Sequence, residues 1–142
     1  MEQTQIRIII VDDHQLIRET WKTLLEEDKR LVIIAECTNG AEAIKAAGKY
    51  NADIILMDIN MHPVNGFEAT KKILKQSPSA KIIGISVNNQ PSYARNILQL
   101  GARGFVTKDS TKEEMIHAII TVHNGGRFIS EDVRRKMQPP GD

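Results

Sequence analysis

The sequence predicts an α/β fold, a doubly wound parallel sheet of five strands carrying five helices. Three observations carry this reading. Short apolar runs rich in Ile and Val recur over residues 6–11, 31–36, 53–57, 81–85 and 104–107. They lack clean polar alternation, as strands covered on both faces do. Between them, apolar residues recur at helical spacing, and repeated strand–helix alternation implies right-handed crossovers.

The first helix places Ile17, Trp21, Leu24 and Leu25 on one face, ahead of a charged stretch over 26–30. Ala43, Ile44 and Ala47 mark a second, opened by Thr38-Asn39-Gly40. Phe67, Thr70, Ile73 and Leu74 mark a third that stops at Ser77-Pro78. Pro91 opens a fourth, with Tyr93, Ala94, Ile97 and Leu98, ending at Gly101. Met115, Ile116, Ile119, Ile120 and His123 form the fifth. Thr111 with Glu114 three residues on has the pattern of a capping box, and Gly125-Gly126 closes the helix. Residues 5–126 are thus expected to form one domain. Residues 127–142 read as an extension, with a short helix over 130–137 and a Pro-Pro-Gly linker after it.

Composition bounds the function. A chain of 142 residues with 41% hydrophobic and 26% charged side chains has the balance of one soluble domain. It lacks an apolar run of about 18 residues, and its polar start lacks a signal-peptide layout. Cys37 is a lone cysteine in an apolar run, which reads as a buried thiol and fits a cytoplasmic setting. Residues 1–70 carry 7 basic and 12 acidic side chains, residues 71–142 carry 12 and 6. The basic residues are scattered, so a solvated surface is favoured over a nucleic-acid face.

In a sheet of this kind, ligands bind beyond the carboxyl ends of the strands. Asp12 and Asp13 follow the first run, Asp58 the third, Ser86 the fourth and Lys108 the fifth. Singly, each has a bland reading as a cap, turn or surface residue. Together they deliver three carboxylates, a hydroxyl and an ammonium to one edge. Clustered carboxylates repel one another unless a cation joins them. Mg²⁺ suits such a set, whereas zinc lacks a His/Cys cluster.

Val11-Asp12-Asp13-His14, Leu56-Met57-Asp58-Ile59-Asn60-Met61, Gly84-Ile85-Ser86 and Phe105-Val106-Thr107-Lys108 resemble the receiver domain of two-component response regulators. Gly101-Ala102-Arg103-Gly104-Phe105 and Lys108-Asp109 resemble the NarL/FixJ (LuxR-type) subfamily. The resemblance implies a flavodoxin-like sheet with strand order 2-1-3-4-5. It also implies that Asp58 accepts a phosphoryl group from the phosphohistidine of a sensor histidine kinase. Asp13, Asp58 and the backbone carbonyl of Asn60 would ligate Mg²⁺, with Asp12 acting directly or through water. Lys108 and Ser86 would hold the phosphoryl oxygens, and Phe105 would be the switch aromatic. The implied product is a signalling switch that controls transcription, with a homodimer possible. DNA would be met only through an output domain beyond this chain, or, for a stand-alone receiver, not at all.

Two positions depart from the family pattern. His62 stands where proline is usual, with Pro63 one later, and Val87 follows Ser86 where a very small residue is usual. The resemblance also gives Asn60 and Asn88 positions that tune dephosphorylation. A phosphatase with an aspartyl nucleophile would need Asp-x-Asp after the first strand, where Asp12-Asp13-His14 stands. A nucleotide fold would need a glycine-rich loop there. The output face is expected around the fourth and fifth helices, with Tyr93, Ile97 and Leu100 as candidates.

Overall fold

A computed structural model describes residues 4–61 and 65–137. The elements run β1 (Ile6–Val11), α1 (Gln15–Glu26), β2 (Leu31–Cys37), α2 (Gly40–Lys49), β3 (Ile54–Asp58) and α3 (Gly66–Gln76). They continue as β4 (Ile82–Ser86), α4 (Pro91–Gln99), β5 (Gly104–Thr107), α5 (Lys112–His123), β6 (Phe128–Ile129) and α6 (Glu131–Met137). The sheet has order β2-β1-β3-β4-β5-β6, and every adjacent pair is parallel. Every residue of β3, β4 and β5 is buried, which explains why these runs show no polar alternation.

Alternate strand residues feed two cores. Ile9, Val11, Ile55, Met57 and Phe105 share one with Ala43, Ile73 and Ile97 from α2, α3 and α4. Ile8, Ile10, Leu56, Ile85 and Val106 share the other with Leu25 of α1 and Met115 and Ile119 of α5. Side-chain caps start three helices: Asn39, Asn65 and Thr111 accept from the backbone N–H of Glu42, Glu68 and Glu114. Only half of the expected capping box forms at Thr111. The Glu114 carboxylate accepts from Glu131 N at 3.2 Å instead of turning back.

The strand and helix counts are the main correction: six of each among the described residues, not five. Gly125, at φ 94°, lets the chain leave α5 in a left-handed turn. Phe128 N then donates to Arg103 O at 3.1 Å and Ser130 N to Phe105 O at 2.9 Å, adding β6 beside β5. The expected short helix follows as α6, and Val133 from it is fully buried in the first core. Two residues of strand leave no periodicity to read. Strand ends move as well: Asp58 and Ser86 are the last residues of β3 and β4 rather than their successors. Ile97 is wholly buried, so it belongs to the core and not to an output surface.

Candidate functional site

Parallel pairing aligns the ends of β1, β3, β4 and β5, and the polar residues there converge. Lys108 Nζ lies 3.1 Å from Asp58 Oδ2 and 3.2 Å from Asp12 Oδ2. Asp58 is only 1% exposed, and its Oδ1 accepts from Asn60 N at 2.9 Å. Asp12 is also buried, and its Oδ1 accepts from His14 N at 2.8 Å. Asp13 is exposed, with His14 Nδ1 2.9 Å from its carboxylate. One ligand atom from each of Asp12, Asp13, His14 and Asp58 lies within 4.8 Å of the others.

The charges there are out of balance. Burial pushes the Asp58 carboxyl above its ordinary pKa, and the Asp12 carboxylate adds to this; Asn60 N–H and Lys108 oppose it incompletely. On Lys108, burial works against the ammonium, but Asp58 and Asp12 outweigh it and hold its pKa high. One ammonium among three carboxylates leaves net negative charge at a partly dehydrated spot. The donor chemistry fits a hard divalent cation: three carboxylates in reach of one another, and a single imidazole, too few for a zinc site.

Ser86, 0% exposed, donates from Oγ to Asn60 Oδ1 at 2.7 Å and accepts from Asn88 N at 3.0 Å. Asn60 therefore touches Asp58 through its backbone and Ser86 through its side chain. Phe105 is completely enclosed in the core that it shares with Ala94, Ile97 and Val133. His62 and Pro63 lie outside the described residues, while Val87 is 73% exposed beside Ser86. A groove of about 510 Å³ between α5, β6 and α6 contains none of the acidic set.

Two residues of the site escape the sequence reading. Gly66 opens α3 directly against the end of β3: a Cβ there would overlap the carbonyl oxygen of Asp58 and the Cα of Ile59. Arg18 of α1 donates from Nη1 to the Asp12 carbonyl at 2.7 Å. Neither carries a motif, although the Asn-Gly pair at 65–66 does mark a turn.

A doubly wound parallel sheet with paired acids after β1, an aspartate ending β3 and a lysine after β5 is the architecture of receiver domains. The family model for the response regulator receiver domain matches residues 8–120, and the chain belongs to that family. The transcriptional regulatory protein DegU of Brevibacillus brevis is 36% identical over 137 residues, covering 96% of this chain and 58% of that protein. This chain therefore spans less than two thirds of that curated relative. Among solved structures, a LuxR-family response regulator from Aurantimonas sp. SI85-9A1 superposes with TM-score 0.91 at 30% identity, covering 94% of this chain and 96% of that one. The isolated receiver of RcsB from Salmonella enterica serovar Typhimurium, solved with the phosphomimetic BeF3−, gives TM-score 0.84 at 25% identity, with 93% and 98% covered. The relatives are two-component response regulators of the NarL/FixJ (LuxR-type) group.

Proposed function

We propose that this domain is a phosphorylation switch in which Asp58 is the acceptor. The observation that carries the reading is the buried Asp58 carboxylate, held between Lys108 and the Asn60 N–H beside Asp12 and Asp13. An Asp58 carboxylate oxygen bonds to the phosphorus of a phosphohistidine. The P–N bond breaks, and its electron pair remains on the imidazole. Asp12, Asp13, Asp58 and the Asn60 backbone carbonyl would hold Mg²⁺, with Asp12 direct or through water. When bound, such an ion would supply the positive charge that offsets these carboxylates and the phosphoryl oxygens. Lys108 favours the ionised form of Asp58 and has a third N–H for a phosphoryl oxygen. Ser86 donates a hydrogen bond from its hydroxyl to another phosphoryl oxygen by releasing Asn60.

That exchange moves the loop after β4, and the Phe105 ring on neighbouring β5 is the element that repacks with it. The partner upstream is a sensor histidine kinase. Leu16, 75% exposed on α1 two residues after His14, and Val87, next to Ser86, offer it apolar contact. Downstream, the α4–β5–α5 face controls pairing with a second copy and a DNA-binding output domain, in line with DegU being a transcriptional regulator. The domain turns over only its own acyl phosphate.

Intact-mass analysis after acetyl phosphate treatment with Mg²⁺ tests this on the native protein and Asp58→Asn. One added phosphoryl group on the native chain alone is expected. Equal labelling of both overturns the acceptor assignment, and labelling that persists in chelator overturns the metal.

A further inference from the structure

The proposed site uses the acids and Lys108, but another partly buried cation touches it. Arg18 sits one turn into α1 with its side chain only 11% exposed. Its Nη1 donates to the backbone carbonyl of Asp12 at 2.7 Å, a charge-assisted bond. Its Nε lies 3.4 Å from Glu36 Oε1 of β2, an ion-pair contact without hydrogen-bond alignment. Lys22, one turn further on, also reaches Glu36, at 3.8 Å. The guanidinium thus keeps its good geometry for the carbonyl and accepts a looser one with the carboxylate.

That carbonyl belongs to the peptide unit joining Asp12 to Asp13. The other fixed points of Asp12 are its N–H, bonded to Cys37 O at 3.0 Å, and its carboxylate, bonded to His14 N and facing Lys108. Asp13 lacks such anchors among the described residues, where its exposed carboxylate meets only His14. The direction in which Asp13 leaves the strand end is set by the peptide that Arg18 grips. We infer that Arg18 is a positioning residue for the divalent-cation site, orienting the Asp12–Asp13 peptide so that both carboxylates face Asp58.

Positioning and plain electrostatics give opposite signs here. A positive charge next to a cation site weakens cation binding, so removing it should tighten the site. Losing an outer-shell hydrogen bond that orients ligands typically weakens metal affinity by about 10–100-fold. The inference rests on the Mg²⁺ reading above, and calorimetric titration of the unphosphorylated domain with MgCl₂ separates the two. Arg18→Gln is expected to weaken Mg²⁺ binding about tenfold. Glu36→Gln, which weakens the link to β2 but leaves the carbonyl contact, should stay within about twofold of native, since its carboxylate is a third exposed and screened by solvent. Unchanged or tighter binding in Arg18→Gln overturns the inference. Equal weakening in Glu36→Gln also overturns it, because Arg18 would then act only as a staple between α1 and β2. Should Arg18→Gln fail to fold, Arg18→Lys carries the same test. It keeps the charge and loses the planar fork, so weaker binding supports the inference and native binding overturns it. Failure of the native protein to bind Mg²⁺ at all would instead strike the metal reading itself.

Discussion

Asp28 and Asp58 are carboxylates at opposite ends of one parallel sheet, and their acidities move in opposite directions. Asp28 enters β2 at the amino end. Arg30 grips it with two guanidinium bonds, at 2.6 and 3.0 Å, and a backbone N–H at 2.9 Å. These hold its pKa down to about 2. Asp58 ends β3 at the carboxyl end, where burial leads the list of influences and pushes its pKa up. Asp28 is saturated by partners and serves the turn. Asp58 is left under-compensated, with charge that a cation and a phosphoryl group can reorganise. Perturbed groups of the second kind mark sites of function more often than those of the first.

The largest effect is expected from breaking the backbone beneath Asp58. Gly66→Val inserts a branched side chain where even a Cβ overlaps the Asp58 carbonyl. A loss of roughly 3 kcal/mol or more is expected in urea unfolding, together with loss of phosphoryl labelling. Native stability in that variant would show that α3 can shift away at little cost.

The next effect has the opposite sign. Because the folded pKa of Asp58 is raised, ionising it costs stability. The cost is absent below the unfolded carboxylate pKa, about 4, and grows as pH rises through the folded value. Asp58→Asn should therefore raise the melting temperature of the Mg²⁺-free protein by roughly 2–6 °C at pH 7, converging with native near pH 4. Mg²⁺ should then stabilise the native chain more than the variant. A variant less stable than native at pH 7 would mean that Lys108 and Asn60 compensate the carboxylate fully.

Much of this contrast was legible in the sequence. Asp12, Asp58, Ser86 and Lys108 each end an apolar run, so the parallel sheet delivers them to one edge whatever the loops do. Loop-borne and two-sided roles were not legible. Arg18 lies on a helix where an i,i+4 Arg–Lys pair reads as solvated, and only the fold reveals a backbone carbonyl as its partner. Gly66 reads as a turn glycine, while its closer constraint is the end of the strand just before it. Strand β6 is a two-residue parallel pairing with β5, and nothing in Phe128-Ile129 distinguishes it from a loop. Ile97 has helical spacing that fits either a core or a surface, and tertiary packing chose the core.

Access to Asp58 gives a smaller, kinetic effect. Val87 is largely exposed next to Ser86, where a branched side chain narrows the approach of a phosphodonor. Val87→Ala is expected to speed labelling by acetyl phosphate about threefold, on the order of 0.6 kcal/mol in barrier. An unchanged rate would place the barrier in the chemistry around Asp58 instead of its entrance.

The smallest effect belongs to Asp28, and it closes the comparison. Its pKa lies below the ordinary carboxylate value of 3.8, at about 2, so the folded state favours the ionised form. The stabilisation is present above the unfolded value and is lost as pH falls from about 4 towards 2. Arg30 is more than half exposed, so solvent and salt screen the pair and its side chains give up freedom to form it. Asp28→Asn should cost no more than about 1 kcal/mol at pH 7, shrinking in 1 M salt and vanishing near pH 2. Urea unfolding of native and variant across that range makes the check. A cost of several kcal/mol, or one that persists at pH 2, would mean that Asp28 acts through the backbone turn rather than through its charge. In that case the two aspartates would differ in geometry before they differ in electrostatics.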